Sequence, residues 1–345
     1  MSSTCSEAAA PHRETRMIPP QAALFDPGEA VSGLPVCDHY AGVEARMVKS
    51  LALQAELGPV FDVTLDCEDG APVGAEAAHA DLVTTMVLSA ANVHGRCGVR
   101  VHPVGHATFA ADVSTIVGAA AARLAYVMVP KVDGVADVAR AAAAIDAAGG
   151  ARVPLHVLVE THGALREVAA IAAHPRIASV SFGLMDFVSA HHGAIPASAM
   201  TAQGQFAHPL VLRAKLEIAA ACHAFAKTPS HSVVTELTDM GIVAEAARRA
   251  ARELGYTRMW SIHPSQIRTI VAAFLPEADE IEEAVAILSA AQAADWAPIG
   301  HAGILHDRAS YRYFWRLLIR ARSAGAALPE AATRRFFADP AAPPT

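Results

Sequence analysis

The chain has 345 residues, 53% of them apolar, with 27 basic and 34 acidic side chains and a net charge of -7. That is enough apolar material for one large core, and with no Lys/Arg stripe outside a basic C-terminal helix the charge balance argues against nucleic acid as a partner. Five scattered cysteines (Cys5, Cys37, Cys67, Cys97, Cys222) without a CxxC spacing read as reduced cytoplasmic thiols rather than disulfides or a zinc site, and no apolar run reaches the roughly 18 residues of a membrane span.

Residues 1–20 are small and polar with no apolar stretch, which predicts a disordered tail and not a signal peptide. AALFDPG (22–28) reads as a first short strand closed by Pro-Gly, and EAVSGLPVCDHYAG as a linker into a helix over 43–56. VFDVTLDCEDG (60–70) is a β-branched run whose carboxyl end carries Asp66, Glu68 and Asp69. A helix over 75–93 follows, then CGVRVHP (97–103), a strand presenting Arg100 and His102, and YVMVPKV (126–132), which presents Lys131. LHVLVETHG delivers Glu160 and IASVSFGLMDF delivers Asp186; one amphipathic helix is expected between them over 163–175. Helices over 209–226 and 239–254 flank a strand at HSVVTEL (231–237), and RMWSIHPSQI ends the series with His263, Ser265 and Gln266.

Eight strands alternating with helices predict parallel pairing, right-handed crossovers and a (β/α)8 barrel. A doubly wound open sheet is disfavoured because no GxGxxG turn follows any strand. The barrel is expected to span 21–275. Beyond it the pattern is helical only: 277–294 opens with Glu277, Asp279 and Glu280, as suits a helix N-terminus, the segment WAPIGHAGILHD reads as a loop, and a helix over 308–322 follows. This appendage, 276–338, reads as a lid packed on the barrel or on a neighbouring subunit, and 339–345 as a disordered tail.

The strand ends collect Glu68, Asp69, Arg100, Lys131, Glu160, Asp186 and His263. Charged residues following apolar runs at one end of a parallel barrel mark an active-site face. The set is rich in oxygen, which favours Mg2+, with Mn2+ as an alternative, over zinc. Glu160 and Asp186, on adjacent strands, are the expected metal ligands. A substrate carboxylate and its neighbouring keto or hydroxyl oxygen can fill the open positions of such an ion, Arg100 can grip the same anion, and the chemistry implied is that of an enolate. Glu68 joins Arg100 as a candidate catalytic group, and Asp69, Lys131 and His263 are candidate substrate contacts. Each has a plainer reading: a strand-end carboxylate is often a helix cap or ion-pair partner, Arg100 can pair with Glu68 or Asp69, and Lys131 among carboxylates is held protonated and is no amine nucleophile. His191-His192 reads as a solvated loop.

At these residues the chain resembles the HpcH/HpaI aldolase and citrate lyase beta-subunit family. LFDPG, DVTLDCEDGAP, VRVHP, VMVPKV, LVETHGAL, SFGLMDF, WSIHPSQI and GILHDRASYR occur in the family's order over nearly the whole chain. The resemblance implies a barrel assembled as a homotrimer or hexamer, with Mg2+ on Glu160 and Asp186 and with Arg100 on the substrate's carboxylate or carbonyl. It also implies a C-terminal lid that donates Asp307 to a neighbour's site as an acid/base; read from the residues alone, Asp307 is a helix cap. The implied reaction is carbon–carbon cleavage of a CoA thioester of the malyl, citramalyl or citryl type. A lyase on free 2-oxo or hydroxy acids, or a beta subunit working on an acyl-carrier partner, are the alternatives. Gln21 and Ala22 stand where the family has an Arg-Ser pair. The acid motif reads DCEDGAP where DLEDAV with a following Lys and Ala-Arg is usual, and SGLPVCDHYAG is an insertion; these departures bear on the CoA phosphates more than on the metal.

Overall fold

In the computed structural model, which describes residues 18–26 and 33–337, eight parallel strands close into a barrel in sequence order. They are β1 (Cys37–Ala41), β2 (Phe61–Asp66), β3 (Cys97–Arg100), β4 (Val127–Val129), β5 (Leu155–Val159), β6 (Ile177–Phe182), β7 (Thr228–His231) and β8 (Arg258–Ser261). β8 returns to β1 with Met259 opposite Cys37, which removes both sheet edges. Helices such as Glu44–Leu57, Glu76–Leu88, Pro209–Ala224 and Pro264–Phe274 cover the outside. The expected (β/α)8 architecture is the observed one.

Period-two alternation sorts the strand residues into two environments. Val63, Leu65, Val99, Val157, Phe182 and Met259 face the helices and belong to the main apolar core. The other set points to the barrel axis and is largely polar: Asp38, Asp62, Thr64, His156, Ser230 and Arg258 are all 0% exposed. Contacts between strands that are not neighbours, such as Tyr126 beside β4 donating to Asp38 on β1 at 2.8 Å, show that these side chains meet inside. Axial Tyr40, Tyr126, Met128, Leu158 and Trp260 form a small separate apolar cluster with Val233.

Several sequence expectations are corrected. The segment expected as the first strand contains, where described, the end of a helix, Pro20–Leu24. Proline at its first position is pre-set for helix and needs no hydrogen-bond partner; Pro27 and Gly28 lie outside the described residues. β1 instead falls within the expected linker, at CDHYA, where inward-pointing Asp38 and Tyr40 interrupt the apolar signal. β7 is TPSH, earlier than the apolar stretch around Val233 and Val234 that suggested 231–237. The single helix of 163–175 is two, His162–Arg166 and Val168–Ala173, broken at Glu167. The expected loop after residue 296 contains a hairpin, Ile299–His301 against Ile304–His306. Its two-residue turn, Ala302 and Gly303, has φ +47 and +79, the mirror-image geometry that matches strand twist.

Two units divide the described chain: 33–275 with 322–326, and 18–26 with 276–321 and 327–337. In the second, Trp315 Nε1 donates to Gln21 Oε1 at 2.9 Å, Gln292 Nε2 donates to the Ile18 carbonyl at 2.9 Å, and Phe25 lies under Arg312 at 4.7 Å. Residues 18–20, expected in the N-terminal tail, are therefore ordered; the expected C-terminal tail and residues 1–17 lie outside the described residues. Helix Ala278–Ala293 starts with a reciprocal Glu277/Glu280 capping box, as its acidic opening suggested. Cys37, Cys67, Cys97 and Cys222 are buried free thiols. No helix among the described residues is long and apolar enough to cross a membrane.

Candidate active site

The carboxyl ends of β2 to β6 converge on one charged cluster. Asp66 closes β2 and Arg100 closes β3, and the register sets them side by side. Arg100 Nε donates to Asp66 Oδ1 at 2.7 Å and Nη2 to Oδ2 at 2.5 Å, a two-pronged pair that fixes the guanidinium plane. The backbone N–H groups of Glu68 and Gly70 donate to the same carboxylate at 2.9 Å each, so Asp66 is saturated. The third nitrogen, Nη1, reaches Glu68 Oε2 at 3.0 Å. Tyr40 and Trp260 flank the guanidinium, with ring centroids 5.3 and 6.0 Å from its carbon. Burial opposes the Arg100 charge, but Asp66 and Glu68 outweigh it and raise the guanidinium's pKa further.

Lys131 follows β4 in a left-handed backbone conformation, φ +49. Its ammonium bridges Glu68 and Asp69, the latter at 2.8 Å, and lies 3.8 Å from Asp186. Burial resists ionisation of Asp69, yet the hydrogen bond and charge of Lys131 hold its carboxyl below the ordinary range. The backbone N–H of Lys131 points the other way and donates to Glu160 Oε1 at 2.8 Å.

Glu160, immediately after β5, is 3% exposed. A Cβ on Gly183 would lie 2.0 Å from Glu160 Oε2, so the end of β6 is bare backbone that makes room for the carboxylate. Asp186 stands not on the strand but in the first turn of the short helix Leu184–Ser189. Burial first, and then the negative charge of Asp186, push the Glu160 carboxyl up to about 8.

The charge balance of the cluster adds to the effect of burial. Five carboxylates (Asp66, Glu68, Asp69, Glu160, Asp186) meet two cations (Arg100, Lys131), and both cations lean on the Asp66–Glu68–Asp69 side. Glu160 and Asp186 are the surplus, with hard oxygen donors and a cradle shaped by Gly183. Among the described residues no three or more His, Cys, Asp or Glu side chains form a complete metal cage. Mg2+ fits this arrangement, because it keeps most of its waters and takes one or two carboxylates together with substrate oxygens.

The other expected residues are accounted for as follows. His263 caps helix Pro264–Phe274: Ser265 N–H donates to its Nδ1 at 3.3 Å, and the Ser265 hydroxyl lies 2.7 Å away. Asp307 caps helix Arg308–Ser323, accepting from Ala309 N–H at 3.0 Å and Ser310 N–H at 3.4 Å. His191 is not simply solvated: its Nδ1 lies 2.7 Å from the Phe187 carbonyl and its ring packs edge-on against His162 and Phe187. Lys131 takes the ion-pair role expected of it, and Arg100 pairs with Glu68 but above all with Asp66. The sequence reading placed Asp66 at the site without giving it a role, and it missed Tyr40 and Trp260. Alternation along RMWS, which puts Trp260 on the same face as Arg258, could have found Trp260; Tyr40 was hidden by the misplaced first strand.

Comparison with known proteins places this geometry. A family model described as HpcH/HpaI aldolase/citrate lyase matches residues 47–264. A crystal structure of a citrate lyase from Burkholderia xenovorans is similar with a TM-score of 0.81 and 55% identity, covering 93% of this chain and 100% of that one. The L-malyl-CoA/beta-methylmalyl-CoA lyase of Rhodobacter capsulatus is 31% identical over 219 residues, 58% of this chain and 68% of that protein. The citrate lyase beta subunit of M. tuberculosis, solved with oxaloacetate and magnesium, has a TM-score of 0.57 at 25% identity, covering 71% of this chain and 99% of that one.

Proposed function

The chain belongs to the HpcH/HpaI aldolase/citrate lyase family, and from that premise we propose that it is a Mg2+-dependent carbon–carbon lyase cleaving a hydroxyacyl-CoA thioester to a 2-oxo acid and a shorter acyl-CoA. The observation that carries the reading is the surplus of negative charge at buried Glu160 and half-exposed Asp186 beside a fixed guanidinium. Those two residues would hold Mg2+, which when bound supplies an electrophilic anchor for the oxo-acid end of the substrate.

Arg100 is the group placed to stabilise the oxygen on which charge develops. Asp66 fixes its plane before substrate arrives, so no reorganisation is needed during the reaction. Glu68 acts through the two cations that it holds, Arg100 and Lys131, while Asp69 and His263 border the substrate. As the hydroxyl proton leaves, the carbon–carbon bond breaks; its electron pair becomes the thioester enolate, which is then protonated at carbon. Asp307, donated by a neighbouring subunit in a homotrimer or hexamer, is the acid for that last step, and its helix-capping position orients it.

The test is release of 2-oxo acid from malyl-, citramalyl- and citryl-CoA with Mg2+ and then with EDTA. Cleavage of one thioester, lost with EDTA and in Glu160→Ala, is the expected result. A Glu160→Ala protein that keeps most of its activity overturns the metal assignment. Cleavage of the free acids alone, or activity only with an acyl-carrier protein, overturns the CoA thioester as substrate.

A further inference from the structure

We propose that His102 and Asp112 form an acid–base dyad of this site, in which His102 Nε2 takes the hydroxyl proton of the substrate; the assignment rests on the lyase reading above. His102 lies two residues beyond Arg100, on the segment leaving β3. Asp112 is fully buried. One of its oxygens, Oδ2, accepts from the backbone N–H of His102 at 2.9 Å and faces the ring Nδ1 at 2.6 Å. A carboxylate against Nδ1 places the ring proton there and leaves the lone pair on Nε2. Among the described residues Nε2 has no hydrogen-bond partner, and the ring is partly exposed. His106 stacks on it at 4.4 Å with the planes 13° apart, which sets its orientation. Glu76, at the start of the helix that precedes β3, is close enough to feel both rings.

Two further observations separate this pair from its neighbours. Three other groups around the mouth are engaged in ways that do not suit a base. Asp66 accepts four hydrogen bonds, Glu68 bridges Arg100 and Lys131, and His263 accepts on Nδ1, which makes its Nε2 a donor. In addition, the helix carrying Asp112 is interrupted directly after it by a π-helical turn, Val113–Val117. Such widened turns are uncommon and concentrate at functional positions.

The step balances without any redox partner. Nε2 receives the hydroxyl proton, the oxygen's electron pair forms the carbonyl of the 2-oxo acid, the carbon–carbon pair becomes the enolate, and the imidazolium later returns its proton to water. The experiment uses the full-length protein with Mg2+ and the three-thioester panel. His102→Ala is expected to lower kcat by about 10²–10³-fold, to bind Mg2+ as the wild type does by calorimetry, and to regain activity in a saturable way when imidazole is added. Asp112→Asn is expected to lose about tenfold with no response to imidazole. If His102→Ala does not fold, His102→Gln is measured in its place for the loss of turnover. A variant turning over at the wild-type rate, or a His102→Ala protein that folds and is slowed but is not helped by imidazole, overturns the dyad and leaves the lyase reading intact. A wild-type protein inactive on all three thioesters overturns both.

Discussion

The barrel axis carries two clusters of buried charge, and they are built on opposite principles. At the floor, near the amino ends of the strands, Arg258 contacts Asp38 at 3.2 Å and Asp62 at 2.6 Å, while Arg96 takes the other Asp62 oxygen at 2.6 Å. Thr64 and Tyr126 donate to Asp38 at 2.6 and 2.8 Å, and His156 stacks on Tyr126 at 3.8 Å. Two carboxylates meet two guanidiniums, so the floor is balanced and closed. At the mouth, five carboxylates meet two cations and the imbalance is concentrated on Glu160. A buried cluster that is balanced specifies structure, whereas one left short of positive charge is arranged to receive a cation.

The contrast is most sharply tested by Glu160→Gln. Turnover with Mg2+ should fall by about 10⁴-fold, on the order of 5 kcal/mol of transition-state stabilisation, while the thermal midpoint without metal holds or rises, because a carboxylate buried beside Asp186 has been neutralised. A clear drop in that midpoint would make Glu160 a structural residue like those of the floor. Asp62→Ala should do the reverse. Stranding Arg258 and Arg96 costs about 3–5 kcal/mol of stability in urea unfolding, and the protein that remains folded should bind Mg2+ normally.

Arg100→Lys keeps the charge but loses the two-pronged grip of Asp66. A fall in kcat of about 10²-fold with little change in stability is expected, and near-wild-type kcat would show that charge alone suffices. Acidification acts on the fold through the buried imidazoles. Burial, then His263, lowers the pKa of His39 to about 4, and burial with Arg258 and Arg96 lowers that of His156 as well. Because the folded-state values lie below the unfolded one, this stability is complete above about pH 6.5 and is lost as pH falls towards 4. For His39 alone the loss by pH 5 is about 2 kcal/mol. Because Glu160, held up at about 8, gains stability over the same range, urea unfolding of the wild type and of His39→Gln at pH 7 and pH 5 isolates the imidazole, and an identical pH dependence in the two proteins would mean that His39 is protonated in the folded state. The smallest effect is expected from Gly183→Ala, whose new methyl group displaces the Glu160 carboxylate and should weaken Mg2+ binding about tenfold by calorimetry, with the floor untouched.

The sequence by itself determined the fold class and most of the mouth. Apolar β-branched runs alternating with amphipathic helices leave a parallel barrel as the economical way to bury both faces, and the charged residues at the ends of those runs, Asp66, Glu68, Arg100, Lys131 and Glu160, do come together. What the pattern hid was the polar lining of the barrel. β1 and β7 carry Asp38, Tyr40, Thr228 and Ser230 inward, so their hydrophobic signal is broken, and one strand was displaced into a helix while the other slid toward Val233. Only the tertiary structure decided how the charges are paired. Asp66, Glu68 and Asp69 are nearly equivalent on paper, but the β2–β3 register gives Arg100 to Asp66, and the left-handed turn at Lys131 gives its ammonium to Glu68 and Asp69 and its amide to Glu160. Pairing between residues tens of positions apart is set by strand order and register, which composition and local spacing do not encode.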